Sequence, residues 1–253
     1  MEHVHGLGVN PGDGLVYVAT HFGVWRLGID GADPVRLSDK YQDTMGFTVA
    51  GPDHFYGSGH PDVSDAELNR PPAPPLLGLI ESTDAGATWQ SRSLLGEADF
   101  HGLTFAHDTI YGADSTNSRF MVSTDEVSWD ERATVALQDL EVSPDDPDLL
   151  VGAGGAAITR SLDGGKTWEP LDAPAAVTLT WQEHDQLWAA DEDGTIRVSA
   201  NEADSWEERG SLPGAVTAMF DAGASLFAAV AADGIYRSDD EGSTWQLIYA
   251  ETD

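Results

Sequence analysis

A tryptophan-containing motif that recurs about every forty residues is the feature that most constrains the fold of this chain. Three copies follow the pattern S-x-D-x-G-x-T-W; a fourth is one residue shorter, and a fifth has Asn in place of the Asp. The motif residues are Asp84 and Trp89, Asp125 and Trp129, Asp163 and Trp168, Asn201 and Trp206, and Asp240 and Trp245. Successive tryptophans lie 40, 39, 38 and 39 residues apart. A fixed period of this length is typical of repeat architectures.

Each motif has the chemistry of a tight turn that closes a β-hairpin. The Asp side chain accepts hydrogen bonds from the backbone N–H groups that follow it. The Gly two positions later supplies a positive φ, which a residue with a Cβ adopts only at a steric cost. The Trp is expected to wedge between neighbouring sheets, with its indole N–H free to find an acceptor.

The segments between the motifs have the pattern of short strands, and the chain is predicted to be all-β. Six four-stranded antiparallel blades in a six-bladed β-propeller are the natural closure. The predicted single domain spans residues 1–253, with blades at about 3–38, 45–94, 99–136, 138–173, 176–212 and 215–250. We expect the N-terminus to supply an innermost strand and the C-terminus an outermost one, so that the ring closes by side-chain packing.

The motif resembles the Asp-box (BNR) repeat of sialidases, sortilin-type receptors and photosystem-assembly propellers. In those families the box is structural, so the resemblance implies Asp-box turns on a propeller scaffold. The segments around His3–Leu7 and Tyr17–Gly23 also resemble small bacterial and archaeal envelope-associated Asp-box proteins that are often labelled glycosyl hydrolases. That second resemblance supports one propeller over the whole chain.

The charge balance excludes some classes of partner. The chain has 44 acidic and 12 basic residues and a formal charge of −32, which argues against nucleic acid or an anionic membrane as a partner. A high-salt habitat would explain such a surface, and so would an acidic proteome of another kind. No apolar run is long enough to span a bilayer, and the absence of cysteine leaves the redox compartment open. We expect a monomer, with an extracytoplasmic or envelope-associated location if a secretion signal has been removed.

Five of the eight histidines are predicted to gather at one mouth of the central channel. His54, His107 and His184 fall in turns of the opposite face and are interpreted as solvated turn residues. The remaining histidines begin inner strands or end second strands, positions that share one face of a propeller. The predicted cluster consists of His3, His5, His21, His60 and His101, with Met45 and Asp114 nearby. His3 and His5 are expected on one side of their strand, because side chains alternate with period two.

Two interpretations of this cluster remain open. Imidazole groups suit zinc or copper, and an added thioether favours copper(I), so a transition-metal or polar-ligand site is predicted. Alternatively, the histidines bond backbone groups and water along the channel wall. The loop Pro61–Pro75 leaves the same face directly after His60, and is expected either to cover the site or to be a surface insertion.

Sialidase chemistry is not predicted. It requires an arginine triad and a Tyr nucleophile, whereas arginines here recur in third strands at structural positions. A different glycosidase needs two carboxylates, for which Glu97, Asp99, Asp114 and Asp139 are the candidates near the mouth. The sequence therefore predicts a non-catalytic binding propeller for a small ligand, metal or glycan. A glycoside hydrolase and a scaffold that holds a protein partner are the alternatives.

Overall fold

The computed structural model describes residues 1–154, 157–183 and 186–251, which form six four-stranded antiparallel sheets. The first three sheets are β1 (Val4–Val9), β2 (Val16–Thr20), β3 (Gly23–Leu27) and β4 (Val35–Arg36); β5 (Asp43–Gly51), β6 (His54–His60), β7 (Leu79–Ser82) and β8 (Gln90–Ser93); and β9 (Phe100–Ala106), β10 (Thr109–Asp114), β11 (Arg119–Ser123) and β12 (Asp130–Thr134). The last three are β13 (Asp139–Val142), β14 (Leu150–Ala153), β15 (Ile158–Ser161) and β16 (Glu169–Pro170); β17 (Thr178–Glu183), β18 (Gln186–Ala190), β19 (Thr195–Ser199) and β20 (Glu207–Ser211); and β21 (Val216–Asp221), β22 (Leu226–Val230), β23 (Gly234–Ser238) and β24 (Gln246–Ala250).

The sheets are the blades of a six-bladed β-propeller, as predicted. Strands pair in chain order within every sheet, and each first strand contacts the first strand of the next sheet. The ring closes where β21 contacts β1, while β24 is the outer strand of the last blade. Closure therefore rests on packing between blades without a shared strand. None of the helices in the described parts of the chain is long and apolar enough to cross a membrane.

The core is divided among the interfaces between neighbouring blades. One cluster, for example, joins Tyr111 and Phe120 of the third blade to Leu140 and Leu150 of the fourth, and Trp168 packs against it. Every motif tryptophan packs in the same way against a cluster that includes the preceding blade. The recurring tryptophan thus supplies large apolar area at five of the interfaces.

The repeated turns show the predicted hydrogen bonds. In the copy at 161–168, the Asp163 carboxylate accepts the backbone N–H of Thr167 at 2.9 Å and its hydroxyl at 2.8 Å. The Ser161 hydroxyl accepts the backbone N–H of Gly165, whose φ is +84°. The Trp168 indole donates to the Gly165 carbonyl at 3.0 Å. These contacts fix the turn and the tryptophan as one unit.

Blade two departs from the predicted strand bounds. The blade was predicted to begin at about residue 45, but β5 begins at Asp43 and is nine residues long. The register against β6 shifts between Thr44 and Phe47, which is the mark of a β-bulge. The bulge allows pairing to continue to the rim, so that Asp43 lies opposite His60.

Candidate functional site

One depression at the mouth of the propeller collects the predicted histidines. It has a volume of about 650 Å³. Its lining includes all five predicted histidines, His3, His5, His21, His60 and His101, together with Met45 and three carboxylates, Glu2, Asp43 and Asp99. The histidines that strand direction assigned to this face all line the depression.

β-Bulges place the inner-strand residues of this mouth. The β1–β2 register shifts across His5, and the β9–β10 register shifts across His101. A bulge leaves the extra residue unpaired and re-aims its side chain. The predicted strict alternation of His3 and His5 does not hold, because β1 begins at Val4 and His3 has a φ of +49°. The His3 ring instead lies 5.9 Å from the ring of His21.

Asp43 is the centre of the histidine cluster. One carboxylate oxygen, Oδ1, lies 3.3 Å from His5 Nε2. The other, Oδ2, lies 3.1 Å from His21 Nδ1 and 3.6 Å from His60 Nδ1. One ligand atom from each of His5, His21 and Asp43 falls within 4.8 Å of the others. Three segments, from the first two blades, thus converge on one carboxylate.

The contact between His5 and Asp43 lacks the geometry of a hydrogen bond. His5 Nε2 and Asp43 Oδ1 are both buried, and neither has a hydrogen-bond partner among the described residues, although they lie 3.3 Å apart. Burying an unsatisfied polar atom costs about 1–3 kcal/mol. The two atoms face each other at the distance of an ion pair.

The charges of the cluster stabilise ionised Asp43. Partial burial acts to raise the pKa of Asp43, but the facing His5 and His60 rings and the charge of His21 hold that pKa well below its usual range. The contact with Asp43 raises the pKa of His60, against the effect of burial, and the charge of Asp99 raises it further. An ionised carboxylate surrounded by imidazoles is a donor set suited to zinc or copper.

A second carboxylate, Asp99, lies on the opposite side of His60. Its Oδ2 is 3.1 Å from His101 Nε2 and 3.8 Å from His60 Nε2, and it accepts the Ser115 hydroxyl at 3.3 Å. Asp99 is 4% exposed, and its Oδ1 is buried without a hydrogen-bond partner among the described residues.

Asp43 was missing from the sequence-based site, although the sequence carries a signal for it. The inner strands of the first three blades start with the related segments H-V-H-G, D-T-M-G and D-F-H-G. Each segment has His or Asp at its first position, His or Met at its third position and Gly at its fourth position. An alignment of these segments places Asp43 and Asp99 beside His3.

The other candidate carboxylates have structural partners. Both oxygens of Asp114 are occupied: Oδ2 accepts two hydrogen bonds from Arg119, at 2.7 and 2.9 Å, and Oδ1 accepts the backbone N–H of Asp99. Asp114 was predicted to lie near the histidine cluster, but it does not line the depression. Asp139 accepts hydrogen bonds from Thr178 and Leu179 of the next blade.

The fourth carboxylate, Glu97, is exposed in the turn that precedes the third blade. Its backbone carbonyl accepts a hydrogen bond from Arg119 at 3.3 Å. These placements give no reason to add a glycosidase to the proposed function.

The turn histidines are not simply solvated, which corrects the sequence-based interpretation. His54 Nε2 lies 2.8 Å from Glu81 Oε1, and the His54 ring packs against Tyr56. His107 Nε2 lies 2.9 Å from the Ser143 carbonyl of the neighbouring blade. His184 lies outside the described residues.

The loop Pro61–Pro75 folds against the outside of the blades. Asp62 accepts the backbone N–H groups of Tyr41 and Ser64, and Leu68 packs on Leu77 and Ile80. No residue of this loop is among those that line the depression in the described structure. The loop therefore has the contacts of a surface insertion. The alternative prediction, that the loop covers the histidine-rich depression, does not agree with these contacts.

Comparisons with known proteins place the chain among β-propellers. No family model matches it. It is 23% identical over 158 residues to the Photosystem II assembly lipoprotein Ycf48 of Prochlorococcus marinus; the match covers 58% of this chain and 45% of that relative. The chain thus matches less than half the length of this distant assembly-factor relative.

Solved structures show the same fold at low identity. A chain of a nidogen/laminin complex superposes with a TM-score of 0.70 and 13% identity, over 92% of this chain and 91% of that one. An ancestral GH74 enzyme gives 0.62 at 13% identity, over 100% of this chain and 39% of its own. The GH74 xyloglucanase of Xanthomonas campestris gives 0.62 at 15% identity, over 97% and 38%. At these identities the likeness shows the β-propeller fold alone.

Proposed function

We propose that this chain is a non-catalytic binding propeller that holds a transition-metal ion, zinc or copper, at its histidine-rich mouth. The proposed ligands are His5 Nε2, His21 Nδ1 and the Asp43 carboxylate. The observation that carries the proposal is the convergence of one ligand atom from each of His5, His21 and Asp43 to within 4.8 Å of the others. Asp-box turns form the rigid ring that supports the site.

The spacing of the ligand atoms supports a metal site. Zinc binds His nitrogen and carboxylate oxygen at about 2.0–2.2 Å, so two ligands on a tetrahedral ion lie about 3.3–3.5 Å apart. The His5–Asp43 and His21–Asp43 distances are 3.3 and 3.1 Å. Met45 lines the same depression, and its thioether would favour copper(I) over zinc if it completes the coordination.

Metal titration of the tag-free protein tests this proposal. Equilibrium dialysis against Zn²⁺ and Cu²⁺ is expected to show saturable binding to the wild-type chain. His5→Gln and Asp43→Asn are expected to weaken it by about 10-fold or more, the scale of losing one ligand interaction of about 1.4 kcal/mol or larger. His107→Gln is the matched control, since it removes an imidazole from the opposite face. Equal binding by the His5 and His107 variants would contradict the proposal.

A protein-assembly scaffold is the second candidate, favoured by the similarity to an assembly lipoprotein. Phe22 and Tyr41 are exposed on the rim beside His21, with exposed fractions of 39% and 59%. Exposed aromatic side chains are enriched at protein interfaces. This candidate predicts a partner that co-purifies with the wild type and is lost from a Phe22→Ser, Tyr41→Ser double variant that circular dichroism shows to be folded. Retention of the same partner by that variant would contradict it.

A further inference from the structure

His60 stands between the two carboxylates of the mouth. Its Nδ1 faces Asp43 Oδ2 at 3.6 Å, and its Nε2 faces Asp99 Oδ2 at 3.8 Å. Both separations exceed the usual length of a strong hydrogen bond, about 2.7–3.2 Å. The two ring nitrogens of an imidazole point in different directions, so a single His60 ring faces two separate groups of donor atoms.

The second group consists of a carboxylate and an imidazole, Asp99 and His101. Asp99 Oδ2 and His101 Nε2 form a hydrogen bond at 3.1 Å, a separation close to that of two ligands on one tetrahedral ion. The other Asp99 oxygen is buried and has no hydrogen-bond partner among the described residues. Burial of an unsatisfied carboxylate oxygen is costly unless a cation or donor compensates it. Asp99 Oδ2 thus faces His101 and His60, while Asp99 Oδ1 is left for a further donor or cation.

We propose that the mouth holds a second transition-metal ion, bound by Asp99 and His101, and that His60 links the two ions. In this arrangement His60 releases its ring N–H proton to solvent and, as an imidazolate, gives one ring nitrogen to each half-site. The inference rests on the proposed function, because it assigns the first ion to His5, His21 and Asp43. Two of the ligand groups come from β-bulged inner strands, which hold His5 and His101 toward the same opening.

Charge supports the presence of two ions. The two central carboxylates, Asp43 and Asp99, are separated only by the His60 ring. Two neighbouring carboxylates repel each other unless cations lie near them. The formal charge of −32 on the chain adds a field that attracts divalent ions to an open mouth. The competing arrangement is a protonated His60 that joins the two carboxylates as a salt bridge with no second ion.

Metal stoichiometry separates the two arrangements. Titration of the wild-type chain with Zn²⁺, followed by calorimetry and by elemental analysis after desalting, is expected to give about two ions per chain. Asp99→Asn and His101→Gln are each expected to reduce this to about one ion and to leave the first half-site intact. The matched control, His107→Gln, is expected to retain both ions. Circular dichroism of each variant checks that the propeller is folded.

Copper(II) resonance spectroscopy tests the link through His60. After one equivalent of Cu²⁺, the number of spins detected is expected to equal the number of copper ions bound. After the second equivalent, fewer spins than copper ions are expected, because the shared His60 ring couples the two copper spins. His60→Ala is expected to restore the full count. One ion per chain in the wild type, unchanged in the Asp99 and His101 variants, would overturn the second half-site and leave the proposed function standing. No bound metal in any variant would overturn both.

Discussion

Substitution of the motif glycine Gly165 tests the packing between blades. Gly165 has a φ of +84°, and a Cβ placed there would lie 2.0 Å from the Phe120 ring. Gly86 occupies the same motif position, with a φ of +80°, but its nearest neighbour would be Leu37 Cδ1 at 3.3 Å. Both Gly→Ala changes therefore share the left-handed strain, and only Gly165→Ala adds a collision with a buried ring.

The strain and the collision with Phe120 determine how far each substitution is expected to lower the free energy of unfolding. Left-handed strain costs about 1–2 kcal/mol, and the stiffer unfolded chain offsets about 0.4–1 kcal/mol of it. Gly86→Ala is therefore expected to cost about 1 kcal/mol. Overpacking adds about 1–3 kcal/mol, which brings Gly165→Ala to about 2–4 kcal/mol. A native Ala203 already holds this motif position at a φ of +69° where space is available.

Urea unfolding monitored by tryptophan fluorescence gives the two free energies, with salt held constant because of the high charge. Equal slopes of free energy against urea concentration are required for the comparison. Gly165→Ala is expected to be less stable than Gly86→Ala by about 1–3 kcal/mol. If the two variants agree within about 0.5 kcal/mol, the assigned Phe120 packing is wrong.

Two further predictions concern carboxylates away from the mouth. The backbone N–H groups of Tyr41 and Ser64 lower the pKa of Asp62 to about 2. Ionised Asp62 therefore stabilises the fold above about pH 4, and this contribution is lost as the pH falls toward about 2. Asp62→Asn is expected to cost about 1–2 kcal/mol in urea unfolding at pH 7, with the difference from wild type disappearing near pH 2; a pH-independent difference would contradict this. Burial, with a contribution from Asp139, raises the pKa of Glu141 well above its usual range, so the stability that protonated Glu141 supplies is lost as pH rises through that pKa. Glu141→Gln is therefore expected to gain stability relative to wild type between pH 4 and 8, and a flat difference across this range would refute the assignment.

The fold was predictable because its signal is long-range and redundant. Five tryptophans at a regular spacing mark the second to sixth blades. Each tryptophan packs against a hydrophobic cluster that contains residues of the preceding blade. Strand direction within a blade then placed five histidines at one mouth, a conclusion that depends on the element order alone.

The details that sequence missed are set by local irregularities. The bulge in β5 extends the strand to Asp43, and a regular strand pattern gives no indication of it. Arg119 donates two hydrogen bonds to Asp114, and neither the spacing nor the polarity of residues in the sequence indicates this contact. Similarly, His54 and His107 find partners on other strands, so their turn positions alone suggested solvation.

Anomalous scattering from crystals of the zinc-loaded protein tests the central claim most directly. Data collected on both sides of the zinc absorption edge locate the ion without reference to the protein geometry. The account predicts a zinc peak between His5 Nε2, His21 Nδ1 and the Asp43 carboxylate, at about 2.0–2.2 Å from each ligand atom. Ordered zinc bound elsewhere with this mouth empty, or no ordered zinc at saturating concentration, would contradict it.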